Sequence, residues 1–182
     1  EEPFLVLATQ NPLEQEGTYP LPEAQTDRFI MKVIVNYPDI EEERLILRSN
    51  VEAMALPAIN PVVSLQEVIE AKNLVRQIYL DEKVEKYILD IVFASRYPER
   101  FGLDTLKPLI SYGASPRGSI NLAIAGKANA FLNKRGFVTP EDIRNIAYDV
   151  LRHRIGLTYE AEAEEVDTEK IIEEILKKVN VP

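Results

Sequence analysis

Asn11 stands directly before Pro12, shortly after an apolar run from Phe4 to Ala8. The polar residues Thr9 and Gln10 end that run. An unbroken apolar run that ends at a turn signal predicts a strand buried on both faces. Ligands of parallel α/β sheets bind at the carboxyl ends of such strands. The amide of Asn11, at that end, can hold a water molecule or contact a phosphate oxygen. The alternative is that Asn11 only turns the chain before Pro12.

Arg117 lies in the first turn of a predicted helix. Ser115 is a favourable N-cap and Pro116 a favourable first helical residue, and the helical pattern runs through Leu132 to an end at Gly136. A positive charge opposes the helix dipole at this end. An anion held jointly by the helix amino terminus and the guanidinium would account for the arginine. A solvated or carboxylate-paired arginine is the alternative.

Arg28 stands at the junction between a predicted helical turn and a predicted strand. The constrained loop at residues 17–22 leads into the turn Glu23–Asp27, where Pro22 suits the first position. The second predicted strand runs from Ile30 to Val35. By residue type alone, an arginine at such a junction is usually a surface charge.

The string from Phe4 to Phe29 resembles the MoxR family of AAA+ ATPases, and the match is nearly continuous. In that family ATQNP carries the sensor-1 asparagine and EGTYPLPEAQ-DRF carries the arginine finger. The resemblance implies that Asn11 is sensor 1 and that Arg28 is the finger. ASPRG, at residues 114–118, is where the family carries its sensor-2 arginine, which implies that role for Arg117.

The resemblance covers nearly the whole chain and implies two parts. Residues 1–37 would be the carboxyl-terminal part of an AAA+ ATPase core, and residues 38–182 a helical lid domain. The predicted fold class is therefore an α/β remnant with two parallel strands, followed by an all-α lid bundle, and mostly helical overall. In AAA+ proteins the linker lies against the adenine, which implies a base contact for Tyr37. Its alternative is a hinge residue packed against the lid.

Cap residues and helical spacing predict the elements of the lid. Asp39 with Glu42, and Ser64 with Glu67, have the spacing of a capping box. Further predicted N-caps are Asp81, Thr139 and Asp167. The apolar stripes that follow the caps predict core faces. Residues 100–112 are predicted to be irregular, residues 159–166 a mobile acidic loop, and His153 a solvated side chain between two arginines.

The chain begins directly before a predicted buried strand, which predicts a carboxyl-terminal fragment of a longer protein. Gly113 to Gly118 has the glycine spacing of a phosphate loop, but Ser119 and Ile120 follow where the lysine belongs, and no strand precedes it. No apolar run ends in the Asp-Glu pair that holds magnesium. The resemblance implies that both elements lie upstream. ATP would then bind with Mg²⁺ ligands from outside this chain, which alone should be inactive.

Composition excludes several classes of site. The net charge of −9 argues against a nucleic-acid surface. Without cysteine there is no disulfide framework, and with one histidine no metal site is predicted. No apolar run approaches the ~20 residues that span a bilayer.

The resemblance implies a cytoplasmic protein that hydrolyses ATP in a homo-oligomeric ring, usually a hexamer, with Arg28 reaching into the neighbouring subunit. The resemblance also implies that the protein uses ATP hydrolysis for chaperone-like maturation or assembly of client complexes. Partners of such proteins often carry von Willebrand factor A domains. Two other classes stay open. A non-catalytic helical adaptor would need none of Asn11, Arg28 and Arg117. A helicase-type AAA+ protein is opposed by the acidic balance.

Overall fold

The computed structural model describes residues 3–10, 21–51 and 59–182. These residues are mostly helical, as predicted. The helices are α1 (Glu23–Thr26), α2 (Ile40–Val51), α3 (Leu65–Gln77), α4 (Glu82–Arg96), α5 (Pro116–Leu132), α6 (Pro140–Leu151), α7 (Tyr159–Ala163) and α8 (Thr168–Lys178). Two 3₁₀ turns, Pro98–Phe101 and Asp104–Leu106, follow α4. Strands β1 (Ile110–Tyr112) and β2 (Gly156–Leu157) pair antiparallel. No helix in these ranges is long and apolar enough to cross a membrane.

One apolar core lies between residues 78 and 179, where α5 packs on α6 and both contact α4. The predicted stripes of α4, α6 and α8 face it. The largest side chains with almost no exposure are Tyr87, Ile91, Leu122, Ile143, Leu151, Ile171, Ile172 and Ile175. Each such burial stabilises the fold by roughly 1.5–3 kcal/mol. The lid part of the chain therefore has a core of its own.

The predicted caps are confirmed wherever they lie in described residues. Ser64 and Thr139 form capping boxes, and the side chains of Asp81, Ser115 and Asp167 accept from the first turns of their helices. Cap bonds are local in sequence, so local residue types determine them.

The predicted end of α5 at Gly136 is wrong. The helix ends at Leu132, and Lys134 takes the left-handed conformation with φ 57°. The Lys134 amide donates to the Phe131 carbonyl at 2.8 Å and the Arg135 amide to the Ala130 carbonyl at 2.9 Å. This pair of bonds is a Schellman motif, which satisfies the last carbonyls before Gly136 is reached.

The two predicted parallel strands, Phe4–Ala8 and Ile30–Val35, do not form in the structure. Leu7 is 82% exposed and Val35 89% exposed. A strand is stabilised by hydrogen bonds to neighbouring strands, and no described segment pairs with either run. The sheet that the described residues do contain is the β1–β2 pair, whose first strand lies in the segment predicted to be irregular.

Two further predictions about the lid need correction. Residues 159–163 form α7, where Thr158 caps the amino terminus and Ala161 is fully buried, so this part of the acidic segment is not a loop. Helices α2 and α3 form as predicted, but neither contributes a buried residue. The apolar residues of α2 are left exposed by the described residues. Helix α3 packs on α5 and is only partly covered, with Val68, Ile69 and Val75 half-buried.

Asp142 is the most thoroughly bonded carboxylate of the core. Its side chain is 1% exposed and pairs with Arg135, and it also accepts from Asn129 at 2.8 Å and from the Thr139 amide at 2.8 Å. Burial alone would raise the pKa of the Asp142 carboxyl. The bonds from Arg135, Thr139 and Asn129 outweigh burial and hold that pKa well below its usual range. The ion pair therefore stabilises α6 from neutral pH down into the acid range.

We predict that Asp142→Ala lowers the free energy of unfolding of this chain by about 3 kcal/mol, because it leaves Arg135 without its buried partner. Glu173→Ala is the matched control, since it removes an exposed partner of Lys177 and should leave the free energy of unfolding nearly unchanged. Urea unfolding followed by circular dichroism measures both. Equal losses for the two variants would contradict the assignment.

Candidate functional site at the Asp27 carboxylate

The turn after α1 places Asp27 against the lid and leaves Arg28 facing outward. Pro22 precedes α1, whose last turn continues through bonds from the Arg28 amide to the Gln25 carbonyl at 3.2 Å and from the Phe29 amide to the Thr26 carbonyl at 3.1 Å. The Asp27 side chain is 16% exposed, whereas Arg28 is exposed. Adjacent residues of one turn thus face opposite surroundings.

The amino terminus of α5 supplies two donors to this carboxylate. The Ser115 hydroxyl donates to both Asp27 oxygens, at 3.0 and 2.9 Å, and Arg117 Nη1 donates at 3.1 Å. Ser115 Oγ also accepts from the Arg117 amide at 3.1 Å as the N-cap. One serine therefore caps the helix and binds the carboxylate, so the helix start and Asp27 hold each other in place.

The loop before α5 is held against the end of α4. The Ala114 amide donates to Ser95 Oγ at 3.0 Å, and Arg96 Nε donates to the Ala114 carbonyl at 2.6 Å. Gly113 approaches so closely that a Cβ atom there would lie 2.4 Å from the Ser95 carbonyl oxygen. Only glycine fits this contact, which positions Ser115 and Arg117 at the edge of the core.

Arg154, just after α6, supplies the third donor group. Its side chain has no exposed surface, and Nε donates to the Asp27 carboxylate at 3.0 Å. Its other nitrogens donate to backbone carbonyls of Asp27 at 3.0 Å and Ile30 at 3.2 Å, and to those of Phe29 and Val150. A buried guanidinium needs such partners, and here they are the carbonyls on both sides of Arg28.

Charge and burial act in opposite directions on Asp27. Burial alone would raise the pKa of the Asp27 carboxyl, but hydrogen bonds from Ser115 and Arg117 and the charge of Arg154 outweigh it and lower that pKa. The carboxylate is therefore ionised at neutral pH. It supplies the anion that the sequence leads us to expect beside Arg117, so in this structure Arg117 is carboxylate-paired.

The predicted site residues meet different outcomes. Asn11 lies outside the described residues, as does most of the loop before α1. Arg117 and the turn that carries Arg28 are brought together through Asp27. Tyr37 is 88% exposed, so it is not packed against the lid as its alternative requires. The catalytic and nucleotide-binding roles of all four residues stay predictions.

Sequence reasoning missed Asp27, Arg154 and His153 as parts of this site. His153 is not solvated as predicted. It is half-buried, and Nε2 lies 3.1 Å from the Phe29 carbonyl. A carbonyl only accepts, so Nε2 carries the proton, while Nδ1 is buried without a partner among the described residues. Burial and the charge of Arg154 lower the pKa of His153 to about 4, against the opposing effect of the Phe29 carbonyl.

Family models match both ends of the described site. A model described as "AAA lid domain" matches residues 105–175, and one described as "ATPase family associated with various cellular activities (AAA)" matches residues 1–31. The two matched segments are thus both segments of AAA+ ATPases. That is the class to which the chain belongs.

Similar proteins narrow the class. The chain is 44% identical to "Chaperone MoxR1" of Mycobacterium tuberculosis, over 99% of this chain and 47% of that protein. It is 32% identical to "Protein MoxR" of Paracoccus denitrificans, over 84% and 48%. A crystal structure from Cytophaga hutchinsonii superposes with a TM-score of 0.93 at 51% identity, covering 100% of this chain and 55% of that one. The chain belongs to the MoxR family, so the resemblance seen in the sequence is confirmed. It spans about half the length of the curated relatives it matches.

We predict that His153 titrates with a pKa of about 4 in the folded chain, against 6.5 when unfolded. The folded state binds the proton less readily than the unfolded state. The contribution of neutral His153 to the stability of the fold is therefore fully present above pH 6.5 and is lost as the pH falls toward 4. The chain has one histidine, so its ring protons are unambiguous in a proton NMR titration. The same resonances in urea serve as the control. A folded-state midpoint near 6.5 would show that Nδ1 is solvated.

Proposed function

We propose that the protein is a MoxR-like ATPase that hydrolyses ATP in a cytoplasmic homo-oligomeric ring, usually a hexamer in this class, and uses the turnover for chaperone-like maturation or assembly of partner complexes. Partners with von Willebrand factor A domains are part of the proposal. The name of the Mycobacterium tuberculosis relative, "Chaperone MoxR1", supports the chaperone-like role. Residues 1–37 would belong to the ATPase core and residues 38–182 to the lid.

The observation that carries the proposal is the contact between the Arg28 turn and the amino terminus of α5, which Asp27 makes with Ser115 and Arg117. A phosphoryl-transfer site works by positioning and charge stabilisation, so its arginines must be held in fixed places. Arg28 is exposed on a turn whose backbone is anchored, which suits a residue that reaches into another subunit. Arg117 lies at a helix amino terminus, where anions are bound favourably.

Each of the four predicted site residues then has a proposed role. Asn11 orients the attacking water and contacts the γ-phosphate, Arg117 binds the same phosphate from the lid, and Tyr37 contacts the base. Arg28 stabilises the transition-state charge in the neighbouring subunit's site. Mg²⁺, when bound, would supply positive charge that neutralises the phosphates. The described residues contain no group of three His, Cys, Asp or Glu that could hold it, so we assign its ligands to other parts of the protein.

We predict that Arg28→Ala in the full-length protein leaves ATP binding intact and lowers turnover by ~10³–10⁵-fold, the range found for arginine fingers. Mixing the Arg28→Ala subunits with subunits that carry a phosphate-loop lysine variant is the sharper measurement. Some interfaces then join an intact pocket to an intact finger, and activity should partly return. Absence of recovery at every ratio, with rings confirmed by light scattering, would count against a finger that acts in trans.

The 182-residue chain alone should neither hydrolyse ATP nor bind it tightly, because its sequence contains no G-x-x-x-x-G-K-[ST] loop. Isothermal titration with ATP and Mg²⁺ measures this directly. An intact far-UV circular dichroism spectrum serves as the control for folding. A micromolar dissociation constant would require a nucleotide site built from these residues alone.

A further inference from the structure

Arg154 is the buried cation of the described chain whose bonds converge on the turn around Arg28. It donates to the carbonyls of Asp27, Phe29 and Ile30 and to the Asp27 carboxylate. These acceptors lie one position before Arg28 and one and two positions after it, and the Arg28 side chain itself is exposed. One guanidinium without exposed surface thus holds the carbonyls of three residues around Arg28.

Neighbouring lid residues extend the same anchor. His153 contacts the Phe29 carbonyl at 3.1 Å, the Lys32 amide donates to the Asp149 carbonyl at 2.8 Å, and Arg152 donates to the Lys32 carbonyl. All three lid residues lie at the end of α6 or in the turn that follows it. The segment from Asp27 to Lys32 is therefore bonded along its length to one corner of the lid.

We propose that Arg154 is a positioning residue for Arg28. It fixes the turn on the lid, so that the lid rather than the preceding segment determines where the arginine finger points. This inference rests on the proposed function. It adds a route by which sensor 2 and the finger communicate, because the Asp27 carboxylate that Arg154 holds is also bonded to Arg117. Movement of the lid about its own nucleotide would then move the finger offered to the neighbour.

The rigidity of the anchor explains why one residue can matter without touching substrate. A displacement of the order of 1 Å at a catalytic group can cost ~10²-fold in rate. Lysine at position 154 would keep the charge but lose the planar fork that serves four carbonyls and a carboxylate together. We expect Arg154→Lys in the full-length protein to lower kcat by ~10–100-fold with the KM for ATP unchanged.

Complementation between subunits separates positioning of the finger from support of the nucleotide pocket. If Arg154 acts through Arg28, mixing Arg154→Lys with the phosphate-loop variant restores part of the activity, and mixing it with Arg28→Ala restores none. The reverse pattern would overturn the proposal, because it would place Arg154 at its own subunit's pocket. Unchanged turnover in Arg154→Lys would overturn it as well. Arg144→Lys is the matched control, since Arg144 also bonds a backbone carbonyl, that of Leu176 at 2.9 Å, and should keep full turnover.

A second variant and a second measurement cover the remaining outcomes. If Arg154→Lys does not assemble, Asp27→Asn is mixed in the same way and should fall in the same group as Arg28→Ala. Failure of both variants to assemble would show that the pair serves folding, and the proposal falls. If Arg28→Ala keeps full turnover, the assignment of Arg28 as the arginine finger is wrong. Hydrogen exchange of this chain then still tests the anchor, since Arg154→Lys should expose the Lys32 amide while α6 stays protected. Unchanged protection of Lys32 would overturn the anchor.

Discussion

The position of the Arg28 turn on the lid depends on the desolvation of one carboxylate. Asp27 is withdrawn from water by lid residues that lie 88 to 127 positions further along the chain, so its charge must be satisfied by donors from the lid. Ser115, Arg117 and Arg154 supply them. Removing one member of a buried ion pair generally costs ~3–5 kcal/mol, because the other charge stays behind unpaired. Asp27 and Arg154 therefore require each other, and the turn around Arg28 is fixed as a consequence.

The same contact explains how two segments that bury unequal amounts of apolar surface stay together. The lid closes its core between residues 78 and 179. The segment before it contributes partly buried Met31 to that core and leaves Phe4, Leu5 and Val35 exposed. Apolar burial supplies little attraction between the two. Directed bonds to Asp27 and to the backbone of residues 29–32 replace it, and directed bonds fix orientation more strictly than apolar contact does.

The parts of the fold that could be predicted from sequence are those with local causes. Ser64, Ser115, Thr139 and Asp167 cap their helices because each bonds an amide two or three residues away. The strands could not be predicted in the same way, because an apolar run becomes a strand only when other strands pair with it. The candidate site likewise has residues that a local motif reveals and residues that only tertiary contacts reveal. The motif around Arg117 is visible in sequence. Arg154 and His153, by contrast, look like any other basic residues in the sequence, because only tertiary contacts bury them.

The charge balance at Asp27 reconciles its pairing with an anion-binding role for Arg117. Arg117 and Arg154 place two positive charges beside one carboxylate, and His153 adds none at neutral pH because burial and Arg154 hold its pKa near 4. The cluster of these four side chains thus carries an excess positive charge while every buried group except His153 Nδ1 has a partner. Arg154 is fully buried, whereas the Arg117 side chain is 51% exposed. The excess charge is therefore accessible at Arg117, while Arg154 keeps Asp27 ionised and in place.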